Sequence, residues 1–451
     1  MSILIIVCLF ALTACATTRE NVVNASFKDH KLEFNTILKN GVARDYKIES
    51  DGKLESYIAY AMKNSPKLEA QFERWQAGIH KIARMRRLPD PVISYAYYIN
   101  HVETRVGPQR HKVSFRQSFP WPTRLIEGAN AASAKAKAEG KRFDALAISI
   151  AAAVEEKYWI LWKLKRIKKV HEDHLSILMS LSKTAGAQLM TGKIALADHQ
   201  QIDLTAARVE DLILSLDESI IKAGTNLKKV MGAPQSMHVK IESEPDFSQN
   251  IINKESLEAS VRSHPYIYSF EALAQASKAE AKKEKASRYP GFSLGVDWIE
   301  TGETSIQGVP DSGKDAIIVG GGISVPLWQH NYKESEEARY SEMRSYRAEG
   351  KAAEDKAIAQ FYIVLSDIRN ATRKIKLYER TLIPKAQSIF ESVLGSYISG
   401  RGTVTTILLA QSDLLDLKIQ LIIAQADYSS SWAALENVVG HEIVTPDSGN
   451  Q

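Results

Sequence analysis

The chain carries one pattern twice, and that duplication constrains its fold more than any other feature. Ser65-Pro66 opens a helical run that ends near Pro89-Asp90-Pro91, and His264-Pro265 opens another that ends at Tyr289-Pro290. Pro66 and Pro265 lie 199 residues apart, as do Pro91 and Pro290. The offset becomes 206 from Pro120 to Pro326, then 208 from Gly192 to Gly400 and from Gly232 to Gly440. It grows between the two prolines of each half, so an insertion sits there. Each half is one supersecondary unit. The division reads as residues 53–232, a polar Pro-containing linker at 233–253, and residues 254–440, with a tail at 441–451.

Each half reads helix, strand, strand, very long helix, turn, helix. The strands alternate. Ile93, Tyr95, Tyr97 and Ile99 oppose Ser94 and Ala96, and Val113 and Phe115 oppose Lys112, Ser114 and Arg116. Phe292, Leu294, Val296 and Trp298 oppose Ser293, Gly295 and Asp297, and Ile317, Val319, Ile323 and Val325 share a face. Period-two patterning with aromatics on one side fits a transmembrane β-barrel strand. An ordinary half-buried strand has the same pattern. Loops are expected near His101–Pro108 and Gly302–Gly313, the second the longer.

The segments after the hairpins are almost free of helix breakers. A helix of about 65 residues would be about 97 Å long. Ile358, Phe361, Leu365, Ile368, Thr372 and Ile375, then Leu382, Ala386, Ile389 and Val393, repeat at threes and fours as in a coiled coil. The stripe breaks at Glu379, and Pro384 is expected to bend the helix.

Four strands cannot close a barrel. Left open in lipid, their edges would strand backbone groups at several kcal/mol each. Two copies give eight strands, a barrel filled by its own side chains. Three copies give twelve and a lumen. The strand count thus leads to a homotrimeric conduit with long helices below the membrane.

The start of the chain fits this setting. Met1–Ala14 is a short apolar run ending in Leu12-Thr13-Ala14-Cys15. It reads as a signal peptide over residues 1–14, with a lipidated segment at 15–52 anchored through Cys15. Cys8 is the only other cysteine, so the mature chain would have no disulfide. Lys+Arg of 58 against Asp+Glu of 53 is too mild a balance to argue for nucleic acid.

Together these features resemble the outer membrane factor family, the TolC-like channels of tripartite efflux pumps. The resemblance rests on the tandem halves, the helix openings at Ser65-Pro66 and Ser263-His264-Pro265, and the strand exit Gln117-Ser118-Phe119-Pro120-Trp121-Pro122. It rests also on the turns Leu189-Met190-Thr191-Gly192 and Tyr397-Ile398-Ser399-Gly400. It implies a mainly α fold with a transmembrane β-barrel: a trimeric twelve-stranded barrel, four strands per chain, continuous with an α-helical coiled-coil barrel. The family's tip, where a periplasmic adaptor docks, maps to Leu189, Thr191, Gly192 and Lys193, and to Tyr397, Ser399, Gly400 and Arg401. Its periplasmic aperture maps to Asp198 and to Thr406, which is not acidic. The implied partners are an adaptor, a proton-driven inner-membrane pump and outer-membrane lipid, with heavy-metal cations or drugs as cargo. A conduit for protein secretion with an ABC-type exporter and a non-conducting periplasmic scaffold are the alternatives. No catalytic, cofactor or metal residues are expected. His171 and His174 read as a solvated patch rather than metal ligands, and Lys163 to Lys169 as a solvated basic face. Gly320-Gly321-Gly322 fits a strand bend, not a phosphate loop.

Overall fold

A computed structural model describes residues 23–28, 51–245, 247 and 253–443. Cys15 and the lipobox lie outside the described residues. The chain divides into two compact units, one drawn from residues 1–31, 72–141 and 268–351, the other from 32–71, 142–267 and 352–451. Each unit therefore uses both halves of the repeat.

The first unit holds β1 (Val92–Thr104), β2 (Gly107–Phe119), β3 (Gly291–Thr301) and β4 (Ala316–Ser324). They form one antiparallel sheet in chain order, with β1 and β4 at its edges. The expected alternation becomes two distinct faces. Tyr95, Val113, Trp298 and Ile317 make one row across the sheet, and Ile93, Phe115, Val296 and Val319 the next. These apolar residues are exposed, Ile93 by 73% and Val319 by 77%. A contiguous bare apolar face of this extent marks contact with lipid or protein. The opposite face is more polar, with Ser94, Ser114 and Asp297 in a row that ends at Ile318.

The first hairpin corrects the loop expected at His101–Pro108. β1 continues to Thr104, β2 begins at Gly107, and Arg105 and Val106 alone make the turn. The register slips between Tyr97 and Val102, so β1 carries surplus residues in a bulge. A bulge leaves no mark in simple alternation. The second loop, 302–315, is the longer as expected.

Helices α1 (Leu54–Asn64), α2 (Pro66–Arg86), α3 (Pro122–Met190), α4 (Leu196–Met231), α5 (Lys254–Arg262), α6 (Pro265–Ala286) and α7 (Gln329–Leu377) supply most of the rest. A π-turn over Tyr378–Leu382, α8 (Ile383–Ile398) and α9 (Val404–Val439) complete it. The 69 residues of α3 make a helix about 100 Å long. Among the described residues no helix is both long and apolar enough to cross a membrane.

The π-turn amends the coiled-coil stripe. Pro384 lacks an N–H and its ring crowds the preceding turn. The backbone widens just before it, and Ile383 donates to the carbonyl of Tyr378. That wider turn inserts one residue and rotates α8 relative to α7. Phe361, Leu365, Ile368 and Ile375 are buried as expected. Beyond the π-turn Ala386 and Val393 pack inward as expected, joined by Ile383, Phe390 and Tyr397, while Ile389 is 58% exposed.

Residues 233–245 are non-helical, as a linker would be, but they are fastened. The Tyr57 hydroxyl donates to the Lys240 carbonyl (2.9 Å), and the Tyr158 hydroxyl accepts from Ser243 N–H (2.8 Å) and donates to the Gly52 carbonyl (2.8 Å). His171 and His174 are also not solvated: both are buried, on the inward side of α3. Three cations of the basic run are paired with acids. Lys168 meets Asp217 at 2.5 Å, Lys169 meets Asp173 at 3.0 Å, and Arg166 pairs with Glu244. Gly320, Gly321 and Gly322 lie inside β4.

Candidate functional site: two glycine-closed helical turns

Both predicted tips lie in the second unit, and each is a helix end built the same way. At the end of α3, Gly192 adopts φ +70°. Its N–H donates to Leu189 O and the Lys193 N–H to Gln188 O, each at 2.9 Å. At the end of α8, Gly400 adopts φ +76°, with Gly400 donating to Tyr397 O (3.0 Å) and Arg401 to Ser396 O (2.9 Å). This paired arrangement satisfies carbonyls that a helix end otherwise leaves open. Thr191, Gly192, Lys193, Ser399, Gly400 and Arg401 are exposed. Lys193 and Arg401 place positive charge where the helix dipole is negative.

The structure brings the two turns together. Leu181, Ala185 and Ile202 of the first share a core with Phe390, Tyr397, Val404 and Ile407 of the second, with Ile194 packed against it. Tyr397 is 2% exposed and Leu189 half-buried, so the two equivalent positions differ in depth. The phenol of Tyr397 has no hydrogen-bond partner. Burial pushes its pKa up, and the charge of Asp198 adds to that rise.

Asp198 and Thr406 both fall in the first turn of the helix after the tip. The Asp198 carboxylate accepts from Ala195 N–H at 3.3 Å. In the second half the contact runs from the cap itself: Thr403 Oγ1 accepts from Thr406 N–H at 3.3 Å, and the two hydroxyls lie 2.7 Å apart. Each closes a helix start. Asp198 is half-buried and Thr406 exposed. Asp203 is engaged by His199 (3.1 Å) and Ser182 (2.5 Å), whereas Asp413 is exposed. Sequence reasoning missed Gln411, buried in α9 with neither amide atom paired. Its place in an otherwise apolar stripe was the available signal. Among the described residues no group of three or more His, Cys, Asp or Glu side chains could hold a metal ion.

The same fold recurs in known proteins. Residues 257–441 match the outer membrane efflux protein family. That match covers the second half of the chain. Solved structures agree over most of its length. VceC from Vibrio cholerae is 18% identical, with 86% of this chain and 96% of that one aligned at a TM-score of 0.69. CusC is 15% identical over 87% and 93%, at 0.72. The CmeC outer membrane channel of Campylobacter jejuni is 11% identical over 88% and 90%, at 0.70. At such identities the likeness is one of fold. Curated proteins give no sequence match. The resemblance read from the tandem halves thus holds. The fold is that of outer membrane channel proteins, and the exposed apolar sheet face suits that fold.

Proposed function

We propose that this chain is the outer-membrane conduit of a tripartite efflux pump. In this reading it works as a homotrimer, receives cargo from a periplasmic adaptor and a proton-driven inner-membrane pump, and performs no chemistry. One observation carries the proposal: a four-stranded sheet with two open edges, a bare apolar face and a polar face. In lipid such edges must pair, and only copies of the same sheet offer matching strands. Twelve strands are the smallest multiple that leaves a lumen. The two turns around Gly192 and Gly400 are the natural adaptor contact, being exposed yet seated on a shared core. Asp198 and Thr406 stand at the periplasmic aperture, and Cys15 carries lipid.

Native mass measurement in detergent tests the assembly, and planar-bilayer recording of the same sample tests conduction. Three chains per particle and discrete conductance steps are expected. A folded monomer or dimer overturns the closure argument. A trimer that never conducts favours the scaffold. Mass spectrometry of the mature protein should find acyl chains on Cys15, and an unmodified Cys15 removes the anchor.

A further inference from the structure

The polar face of the sheet is not evenly charged. Its charged side chains in the regular part of the ladder are Lys112 and Arg116 on β2 and Asp297 on β3. Lys112 and Asp297 lie 3.4 Å apart, and Asp297 also feels the charge of Arg116, so two cations share one carboxylate and the three leave one net positive charge. Arg116 makes no ion pair within 4 Å among the described residues, and it is exposed. Its row explains its position. Arg116 faces Gly295 across the β2–β3 ladder, and Gly295 faces Gly320 across the β3–β4 ladder. A Cβ built on Gly295 would sit 3.3 Å from Arg116 Nε. The side chain therefore lies along the sheet over a shelf with no side chains of its own, with Val92 on its other flank. Glycine costs strand stability. Gly295 beneath the side chain, and open space at Gly320 beside it, leave room for the guanidinium to lie against the wall.

We propose that Arg116 sets the charge preference of the conduit and biases it toward anionic and zwitterionic solutes. This rests on the conduit reading above. In a closed barrel of three copies, each wall would carry one unbalanced guanidinium at the same height. Rings of like charge at a pore wall raise the local concentration of the opposite sign and repel their own. Lumen-facing substitutions in barrels of this type tune selectivity without touching the lipid face. The Lys112–Asp297 pair contributes little net field, so most of the effect falls on one residue.

The test is the reversal potential of the full-length protein in a planar bilayer under a KCl gradient. The chloride-to-potassium permeability ratio of Arg116→Ser should fall about twofold or more, by the screening of one charge per wall at ordinary ionic strength. Arg116→Lys should restore the ratio, since it keeps the charge and changes the shape. Asp297→Asn should raise it, because Lys112 is then unopposed. The outcomes separate the two readings. If the unaltered protein forms no channel, the conduit reading falls and takes this one with it. If it conducts but Arg116→Ser leaves the ratio unchanged, the conduit stands and Arg116 is not its selector. If Arg116→Ser fails to assemble, Asp297→Asn alone decides: an unchanged ratio overturns the proposal.

Discussion

Four glycines close helices in the second unit, in two pairs that share a backbone but not a surrounding. Gly192, Gly232, Gly400 and Gly440 all have φ between +70° and +90°. A Cβ built on Gly192 or Gly400 would meet nothing within 4 Å. On Gly232 it would lie 2.6 Å from the carbonyl oxygen of Asn64, and on Gly440 2.8 Å from the ring of His264. Those neighbours are the residues around Pro66 and Pro265, so each repeat packs its own closing glycine against its own helix opening. The sequence offset of 208 is the same for both pairs, yet one pair answers only to backbone angle and the other also to a close approach.

The largest effect that could break this comparison is at the crowded pair. Gly232→Ala must place a methyl group against a backbone carbonyl that cannot give way. Together with the left-handed φ this should cost roughly 2–4 kcal/mol. Gly192→Ala, strained in φ alone, should cost about 1 kcal/mol. Thermal or denaturant midpoints of the assembled protein measure both. Equal losses at 192 and 232 would mean that the close approach is immaterial.

The sequence makes this pairing legible only in part. Proline and glycine punctuation locates both halves, all four strands and both turns, because those residues act through their own backbone. Beyond Glu379 periodicity places Ala386 and Val393 correctly but misplaces Ile389 and misses Phe390, because the π-turn before Pro384 adds a residue that local pattern does not show. His171 and His174 read as solvated because a neighbouring Glu and Asp mask the inward side of a helix turn. The fastening of residues 233–245 depends on Tyr57 and Tyr158, roughly 80 to 180 residues away in the chain. No local pattern reports such a pairing.

Charge separates the two pairs as well. The turns at Gly192 and Gly400 carry Lys193 and Arg401, which suit a helix C-terminus. Around Gly440 the charges run the other way. Glu436, Glu442, Glu55 and Glu155 line one cavity of about 360 Å³ together with His441. Burial, then repulsion from Glu436, Glu442 and Glu55, raises Glu155 to about 7. The folded state thus holds the proton more tightly than the unfolded one. The stability from this group is fully present below pH 4.5 and is lost as pH rises through about 7. Glu155→Gln does not titrate, so it should stabilise the protein at pH 8 by about 1–3 kcal/mol and leave it unchanged near pH 4.5. His174 acts in the opposite direction. Burial holds it down to about 4, so its contribution is present above 6.5 and is lost as pH falls toward 4. For that reason the comparison is made between variant and parent at each pH. An identical shift in midpoint at both pH values would show that Glu155 does not change its ionisation between them.

The smallest expected effect on folding is the most informative about function. Asparagine adopts the left-handed conformation with little penalty, and Gly400 has open space where its side chain would go. Gly400→Asn should therefore change trimer yield and unfolding midpoint by less than about 0.5 kcal/mol. A β-branched residue cannot adopt that φ cheaply, so Gly400→Val should loosen the turn and the packing of Tyr397 beneath it. If the turn only reverses the chain, the Asn variant exports like the parent. If it presents the Gly400 backbone to an adaptor, the added side chain stands in the contact, and export falls while assembly does not. Trimer recovery and export, measured together for both variants, separate these cases. Full export by Gly400→Asn would remove this turn from the adaptor interface and leave the Gly192 and Gly400 pair with one duty, the reversal of the chain.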